Sequence, residues 1–400
     1  MDKIATLREL YPEDVFGFSE KLTDREVELL LALRSILEEK LAPVLKDHWK
    51  DESFPFEAFK EIGQLGLMND PGLFKEGGEP YKVSEYFNLF RYYELSRIDM
   101  SLATFMTVHA GLGFTTLLQG GSQEQIEYFA PKFASFEWQT CFALTEPDHG
   151  SDIAGGMATT AVKDGSDWVI NGEKRWIGGA GSADYIPVFA RNPETKEILC
   201  FMVSSETEGL KVEKIDGKIA LRLVQNGHIT LKDVRVSEAF RLPNITSFKD
   251  VSRILYSTRA DVSHITAGGH AGALRAALKY TGSRTQFGKK VSQFQITQEK
   301  LARMQANAST GLALSYRLAE LQTNQQYAEV PASIAKMQNA RLLRETVALG
   351  REICGGNGIT VDTEVARYFA DAEAIYSYEG THEVNSLIIG RHLTGYSAFV

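Results

Sequence analysis

The feature that most constrains the fold of this chain is a change of hydrophobic periodicity that occurs twice along its 400 residues. From about residue 20 to 135, and again beyond 250, apolar residues recur at the three- and four-residue steps of amphipathic helices. In between, apolar and polar residues alternate in short runs, which is typical of β-strands. We therefore predict an α+β fold with an N-terminal helical domain (1–138), a middle β domain (139–250) and a C-terminal helical bundle (251–400).

Local signals predict where individual helices begin and end. Thr23 and Glu26 have the spacing of a capping box, and Pro43 should end or kink the leucine-rich helix that follows them. Pro131 should likewise end a later, short helix. The further helices expected are 86–97, 123–129, 265–281, 298–321 and 332–349.

Turn residues separate the predicted strands of the middle domain. The pairs that begin at Asp164, Asn171 and Asn226, each followed by Gly, fit hairpin turns in which the central residues need positive φ. The strands expected are 159–163, 168–171, 186–190, 199–204 and 228–236.

Composition argues against several classes of function. A formal net charge of −9 opposes broad attraction to nucleic acid or anionic lipid. Cys141, Cys200 and Cys354 are too scattered for a disulfide framework or a metal site, so we expect buried thiols. No apolar run reaches the length of a membrane span, and the amino terminus lacks a secretion signal. We therefore expect a cytoplasmic protein with no nucleic-acid partner, no membrane span and no metal.

Two glycine clusters invite a nucleotide-binding interpretation. The cluster 178–181 follows a predicted strand, but it lacks the last glycine of a dinucleotide-binding fingerprint and no long helix follows it, which favours a turn between strands. The cluster 355–358 follows a predicted helix, where a helix C-cap and tight turn would explain its glycines without a ligand. Neither cluster alone identifies a site.

The segment 142–152 is the most informative polar stretch of the chain. Thr145, Ser151 and the turn amides around Gly150 would suit an anionic or heteroaromatic ligand. The alternative is a polar loop shaped by Pro147 and Gly150. The sequence contains neither the HExxH pattern of a zinc enzyme nor the GxSxG pattern of a serine hydrolase.

This segment resembles the first signature of the acyl-CoA dehydrogenase family, and four further segments match in the family's order. Residues 352–359 resemble the second signature. Residues 174–177 resemble the strand whose Trp stands beside the flavin, and 284–288 resemble the segment that contacts the cofactor's pyrophosphate and adenosine. Residues 378–381 resemble the segment that carries the catalytic base. The similarity extends over nearly the whole chain.

The resemblance implies an FAD-dependent α,β-dehydrogenation of an acyl-CoA thioester to a trans-2-enoyl-CoA. Glu379 would be the base, and flavin N5 would accept the β-hydrogen as hydride. The amide of Glu379 and a flavin hydroxyl would polarise the thioester carbonyl. The resemblance also implies substrate contacts from Ser151, Arg259, Tyr378 and Gly380. It implies cofactor contacts from Phe142, Leu144, Thr145, Gly150, Ser151, Trp176, Ile177, Gly178, Arg284, Phe287, Gln295, Glu352, Gly355, Gly356, Thr381 and Glu383.

Several of these residues have a plain structural alternative. Trp176 could be a core aromatic, Arg284 a partner in a surface salt bridge, and Arg259 a partner in a structural ion pair. Glu379 could be an ordinary surface residue. Gly178 departs from the family, which usually has Thr or Ser there, so a hydroxyl beside the flavin is missing.

Within the family, the sequences of these motifs are most similar to those of glutaryl-CoA dehydrogenases and plant short-chain acyl-CoA oxidases. Ala103 and Ser96 stand where the glutaryl enzymes have an Arg and a Glu, which argues against a dicarboxylyl substrate. We therefore expect a short-chain acyl-CoA dehydrogenase of fatty acid β-oxidation, a homotetramer that passes electrons to an electron-transfer flavoprotein. The alternatives are an oxidase that uses O2, a glutaryl-CoA-type dehydrogenase and a non-enzymatic acyl-CoA-binding protein.

Overall fold

The order of helical, β and helical regions predicted from periodicity is confirmed. The structure, a computed structural model, describes residues 3–68 and 83–397. The N-terminal helices are α1 (Lys3–Leu10), α2 (Asp24–Ile36), α3 (Leu45–Asp51), α4 (Phe56–Gln64), α5 (Glu85–Ile98), α6 (Met100–Met106), α7 (Thr115–Gly120) and α8 (Gln123–Ala134).

The signals at the ends of the N-terminal helices are partly correct. Thr23 and Glu26 form both halves of the capping box of α2, whose π-helical continuation ends at Leu41, just before Pro43. The prediction for Pro131 is wrong, because this residue lies inside α8. Proline's fixed φ is compatible with a helix, and Phe129 and Phe133 bury their rings on either side of it. Their burial offsets the lost backbone hydrogen bond.

Sequence reasoning missed the helix that later proves central to the site. The π-helical segment Thr107–Phe114 joins α6 to α7, so that one helix runs from Met100 to Gly120. This helix is long and apolar enough to cross a membrane, but 78% of its most apolar window is buried inside the protein. It has no polar face that would have marked it as an amphipathic helix.

The middle region forms one six-stranded sheet in the order β4-β3-β1-β2-β6-β5, in which only the β1–β3 pair is parallel. A short helix, α9 (Ile153–Gly156), precedes the sheet. The strands are β1 (Thr160–Asp164), β2 (Asp167–Gly178), β3 (Tyr185–Arg191), β4 (Ile198–Ser204), β5 (Leu210–Lys214) and β6 (Asn226–Ser237).

Of the predicted hairpin turns, the one at Asp164 is confirmed and two are wrong. Asn171 and Gly172 lie inside β2 at a register shift, where Gly172 has φ 148° and a Cβ would lie 2.5 Å from Thr159 Oγ1. Asn226 begins β6. An Asn-Gly pair indicates a position with positive φ, and such a position occurs in β-bulges as well as in turns. Sequence reasoning also missed β5.

The C-terminal region is a helical bundle around α10, which runs for 36 residues. This helix packs against α5 of the N-terminal region as well as against α11 and α12. All three cysteines are buried and free, as predicted. The remaining elements are α10 (Phe248–Ser283), β7 (Thr285–Gln286), β8 (Lys289–Lys290), α11 (Gln295–Thr323), α12 (Glu329–Ile353), α13 (Val365–Ser377) and α14 (His382–Thr394).

Candidate active site

Glu379 lies in the tight turn between α13 and α14, in the left-handed backbone region (φ 51°) that residues other than glycine rarely adopt. Side chains from two helices hold this turn. Lys336 Nζ of α12 donates to the carbonyl oxygens of Gly380, at 2.7 Å, and Tyr376, at 2.9 Å. Asn385 Nδ2 donates to the carbonyl of Gly380 at 2.9 Å. The strained position is therefore imposed by its surroundings, as is common at functional sites.

Glu379 is half-buried rather than exposed, which argues against the surface-residue alternative. Burial raises its pKa, because water no longer stabilises the charged form. The positive charges of Arg259 and Lys336 oppose this rise, as does the hydroxyl of Thr258, whose Oγ1 lies 3.4 Å from Oε2. The backbone N–H of Glu379 makes no hydrogen bond with any residue that the structure describes. A carboxylate and a free amide donor thus belong to one residue.

Arg259 forms the structural ion pair that was one of its two possible roles, and the substrate contact stays a prediction. Its Nη1 lies 3.4 Å from Glu329 Oε1 and 3.5 Å from Ser333 Oγ, both on α12, so a structural ion pair is present. Its charge also acts on Glu379. The same guanidinium is therefore available to influence the protonation of the carboxyl group.

Tyr378 connects the turn to the helix that sequence reasoning missed. Its hydroxyl lies 3.2 Å from Thr104 Oγ1 of α6. Burial raises the pKa of Tyr378, which keeps this hydroxyl neutral. Beyond Thr104, Val108 and Gly111 are partly exposed on a helix that is otherwise mostly buried. We use the word cleft for the partly exposed region formed by Val108, Gly111, Glu379 and Asp261 of α10.

The predicted flavin-ring residues come together where the loop 142–151 meets the end of β2. The carbonyl of Thr145 accepts a hydrogen bond from the amide of Arg175 at 2.8 Å. Trp176 has φ 64° and a side chain that is 54% exposed, so it is not a core aromatic. Leu144 and Ile177 are buried. Phe142 is half-buried against Phe189.

A buried ion pair that sequence reasoning missed fixes this loop. Lys174 Nζ lies 2.8 Å from Glu146 Oε1 and donates to the carbonyl of Leu144 at 3.0 Å. Glu146 also accepts from the amides of Ala158, at 2.6 Å, and Thr159, at 3.0 Å. Burial lowers the pKa of Lys174 to about 8, while the charge of Glu146 favours its protonated form. The only sequence signal was a lysine and a glutamate within matching motifs.

The glycine cluster at the end of β2 forms a turn between strands, as predicted. Gly179 has φ 69° and the chain passes directly into β3. A Cβ on Gly178 would lie 3.0 Å from Val108 Cγ2 and 3.2 Å from Val224 Cγ1. The space that a Ser or Thr side chain would need is thus already filled.

An open groove of about 480 Å³ lies at the other end of α10. Arg284 lines it and forms no ion pair with any described residue, so the salt-bridge alternative is not observed. A Cβ on Gly355 or Gly356 would point into open space. The lining residues are Tyr280, Arg284, Gln286, Phe287, Val291, Phe294, Ile353, Cys354, Gly355, Gly356 and Asn357.

The remaining predicted site residues lie apart from the groove lining. Gln295 begins α11, and Glu352 pairs with Lys300 at 2.7 Å, whose charge lowers the pKa of this carboxyl group. Thr381 caps α14, and Glu383 is exposed in the first turn of that helix. Gly150 and Ser151 are exposed on the loop before α9.

Comparisons with known proteins agree with this architecture. The chain matches the family profiles "Acyl-CoA dehydrogenase, N-terminal domain" over residues 23–137, "middle domain" over 141–234 and "C-terminal domain" over 248–394. It is 31% identical over 367 residues to the mitochondrial short-chain specific acyl-CoA dehydrogenase of Bos taurus, which covers 90% of this chain and 88% of that relative.

Solved structures show the same similarity in three dimensions. A glutaryl-CoA dehydrogenase from Mycobacterium smegmatis superposes with a TM-score of 0.90 at 33% identity, covering 97% of this chain and 99% of that one. A second glutaryl-CoA dehydrogenase structure from that organism, in complex with FADH2, superposes with a TM-score of 0.91 at 30% identity, with the same coverage. The fold and the matches to family profiles and relatives define the class of the protein as that of flavoprotein oxidoreductases. The chain belongs to the acyl-CoA dehydrogenase family.

Proposed function

We propose that the protein dehydrogenates a short-chain acyl-CoA thioester to the trans-2-enoyl-CoA, with bound FAD and with Glu379 as the base. The observation that carries this proposal is the carboxyl group of the half-buried Glu379, whose pKa burial raises toward the range that proton abstraction requires. The family and the relatives support the reaction class.

The residues present fit FAD. Gly355 and Gly356 leave open space in the groove where any side chain would intrude, and the guanidinium of Arg284 is free to meet paired phosphate oxygens. At the other site, the exposed Trp176 and the loop around Thr145 offer an aromatic face and polar groups to a flavin ring. We propose that the groove serves the adenosine end of a cofactor bound by a neighbouring subunit.

The chain's own groups account for the proton transfer. Glu379 takes the α-proton, and its free amide donates to the thioester oxygen as negative charge develops there. Such a donor is typically worth about 2.7–4 kcal/mol in the transition state. When bound, FAD would accept the β-hydrogen together with two electrons. The tyrosine next to the base, Tyr378, closes one wall of the cleft.

The cleft argues against a dicarboxylyl substrate. Ala103, at the position of the arginine of glutaryl enzymes, is fully buried. On the other side of the cleft, α10 carries Asp261, whose carboxyl group would repel the distal carboxylate of a glutaryl chain. We therefore retain the short-chain monocarboxylyl assignment, although the overall fold superposes closely on glutaryl-CoA dehydrogenases.

Anaerobic titration with butyryl-CoA tests the proposal through the visible absorption of the flavin. The wild type should bleach, and Glu379→Gln should retain flavin but lose nearly all substrate-driven bleaching. Glu373→Gln, a matched change on the exposed face of α13, should bleach like the wild type. Bleaching of Glu379→Gln at the wild-type rate would reject this residue as the base.

The electron acceptor separates the leading proposal from its alternative. We propose an electron-transfer flavoprotein as the acceptor. The alternative is an oxidase that uses O2. The observation in its favour is that Gly178 supplies no hydroxyl and that Val108 fills the space instead. Peroxide formed in step with turnover would establish the oxidase, whereas rapid turnover only with the flavoprotein acceptor would establish the dehydrogenase.

We also propose a homotetramer. Large apolar side chains are exposed around the groove and on α14, and water would be displaced from them by a second copy of the chain. Phe287 is 94% exposed at the groove, and Leu393 and Tyr396 are exposed near the end of the described chain. Assembly would then also complete the cofactor site, because the groove of one subunit binds the adenosine end of the cofactor of another.

A further inference from the structure

A carboxyl group that the proposed reaction does not use lies in the cleft. Asp261 follows Thr258, the residue that contacts Glu379, by three positions on α10 and so lies on the same helix face. The rise between the two positions is about 4.5 Å. Tyr92 of α5 donates its hydroxyl to Asp261 Oδ2 at 3.1 Å. The residue is partly accessible to solvent.

The helix that runs from Met100 to Gly120 approaches this carboxyl group from the side opposite to α10. A Cβ on Gly111 would lie 3.1 Å from Asp261 Oδ2, so the helix backbone approaches the carboxyl group closely here. On that helix, Gly111 lies about two turns beyond Thr104, which contacts Tyr378. Both α10 and the helix from Met100 to Gly120 therefore extend from the neighbourhood of the base to Asp261.

The charges around Asp261 show what it can accept. Burial raises its pKa to about 7, and the charges of Glu379 and Glu85 act in the same direction. The charge of Arg91 and the hydrogen bond from Tyr92 oppose the rise. A second carboxylate would be repelled, and an ammonium group would face the cation already present at Arg91. A neutral hydroxyl group avoids both penalties.

A purely alkyl chain would also be a poor occupant. It would cover the carboxyl group, whose one hydrogen bond from the residues that the structure describes comes from Tyr92, although a carboxylate can accept several. Polar groups that lose water without gaining a partner oppose binding. A hydroxyl at the end of the chain would replace the displaced water.

We infer that the cleft selects acyl-CoA thioesters whose short chain ends in a hydroxyl group, which donates to the carboxyl group of Asp261. This inference rests on the proposed function and specifies its substrate class. Asp261 and Tyr92 determine specificity at the distal end of the chain, while Glu379 acts on Cα.

A pair of thioesters with the same number of heavy atoms tests the inference. Values of kcat/KM are compared for 4-hydroxybutyryl-CoA and pentanoyl-CoA. We expect the wild type to prefer the hydroxylated thioester at least tenfold. Asp261→Leu should reverse the preference, and Asp261→Asn, which keeps a hydrogen-bonding group, should retain part of it. A wild-type ratio of one or below would overturn the inference, whatever the variants do.

Binding separates this inference from the proposed function. Calorimetry on Glu379→Gln, with and without Asp261→Leu, measures the affinity for both thioesters without turnover. A preference that disappears with Asp261→Leu supports the inference even if neither thioester bleaches the flavin, a result that would reject the proposed function alone. If the wild type oxidises both thioesters but Asp261→Leu leaves their ratio unchanged, the function stands and the inference fails.

Discussion

The ammonium group of Lys336 lies 2.7 Å from the carbonyl oxygen of Gly380, so a fully buried cation on α12 holds the turn that carries Glu379. Replacing it as Lys336→Met leaves the carbonyl of Tyr376 without this donor, whereas the carbonyl of Gly380 keeps the hydrogen bond from Asn385. The loss should cost about 1–3 kcal/mol of stability, and kcat/KM should fall at least tenfold because the turn loses its geometry. Thermal unfolding and steady-state kinetics measure both, with the exposed Lys249→Met as control. Wild-type kinetics in the variant would contradict this positioning role.

The same lysine should give the stability of the protein a defined pH dependence. Burial lowers the pKa of Lys336 to about 8 from an ordinary 10.5, so between these values the unfolded chain binds a proton that the folded chain does not. Stability of the wild type relative to Lys336→Met should therefore rise as the pH increases from 8 to 10.5. Chemical denaturation across that range measures the difference, and a constant difference would show that the lysine titrates normally.

The hydroxyl of Thr258 should contribute to the position of the acid limb of the pH–rate profile. Its hydrogen bond lowers the pKa of Glu379, against the effect of burial. Thr258→Val removes the bond, so the pKa should rise and the acid limb of kcat/KM should move to higher pH. Thr258→Ser keeps the hydroxyl and should leave the limb in place. A limb that stays put in the valine variant would mean that the hydroxyl does not act on the base.

Replacing one residue of the Lys174–Glu146 pair should destabilise the protein more than replacing both. Lys174→Met leaves the buried Glu146 without its cation, which should destabilise the protein by about 3–5 kcal/mol and release flavin from the loop. The double variant Glu146→Gln/Lys174→Met should recover part of that stability, since no buried charge remains unpaired. Thermal unfolding and the ratio of flavin to protein measure these effects. A double variant no more stable than the single one would argue against a charge effect.

Gly178 should tolerate a side chain better if Val108, the nearer of its two tight neighbours, becomes smaller. Gly178→Ser pushes a Cβ toward Val108 and should cost about 1–3 kcal/mol of stability. The matched control Gly181→Ser, where a Cβ meets nothing within 4 Å, should be nearly neutral. Combining Gly178→Ser with Val108→Ala should restore stability, as measured by denaturant unfolding. Equal stability of the two serine variants would show that the contact is not tight.

Phe287 should support assembly and cofactor retention together. Phe287→Ser removes a large apolar side chain from the groove, so the native mass and the bound flavin should both decrease. Ile219→Ser, an equally polar change at a side chain that is 73% exposed in the middle region, should change neither. Analytical ultracentrifugation and flavin absorption measure the two effects. A tetramer with full flavin in the Phe287 variant would separate the groove from assembly.

The sequence predicted those features that depend on contiguous residues. The capping box at Thr23 and Glu26 lies within four residues, and the segment containing Glu379 is a short motif, so both could be recognised without knowing the packing. Asp261, Thr258 and Lys336 could not, because their importance depends on how α10 and α12 lie against one turn. A charged residue in a long helix normally signals a solvated face. Only packing shows that these three face inward.

The helix from Met100 to Gly120 was missed for a related reason, and its π-helical segment has a consequence for how the molecule is built. The α6 half meets the turn of Glu379 through Thr104, whereas in the α7 half Gly120 packs closely against Ile245. A π turn takes up one residue more than an α turn, so it shifts the phase of the helix by about 100° between its halves. Each half of the helix can therefore present its own side chains to its own packing partners. A single-residue deletion in this segment would rotate the helix end beneath the sheet relative to the end beside the base, and the cleft would lose its alignment without any change in its own residues.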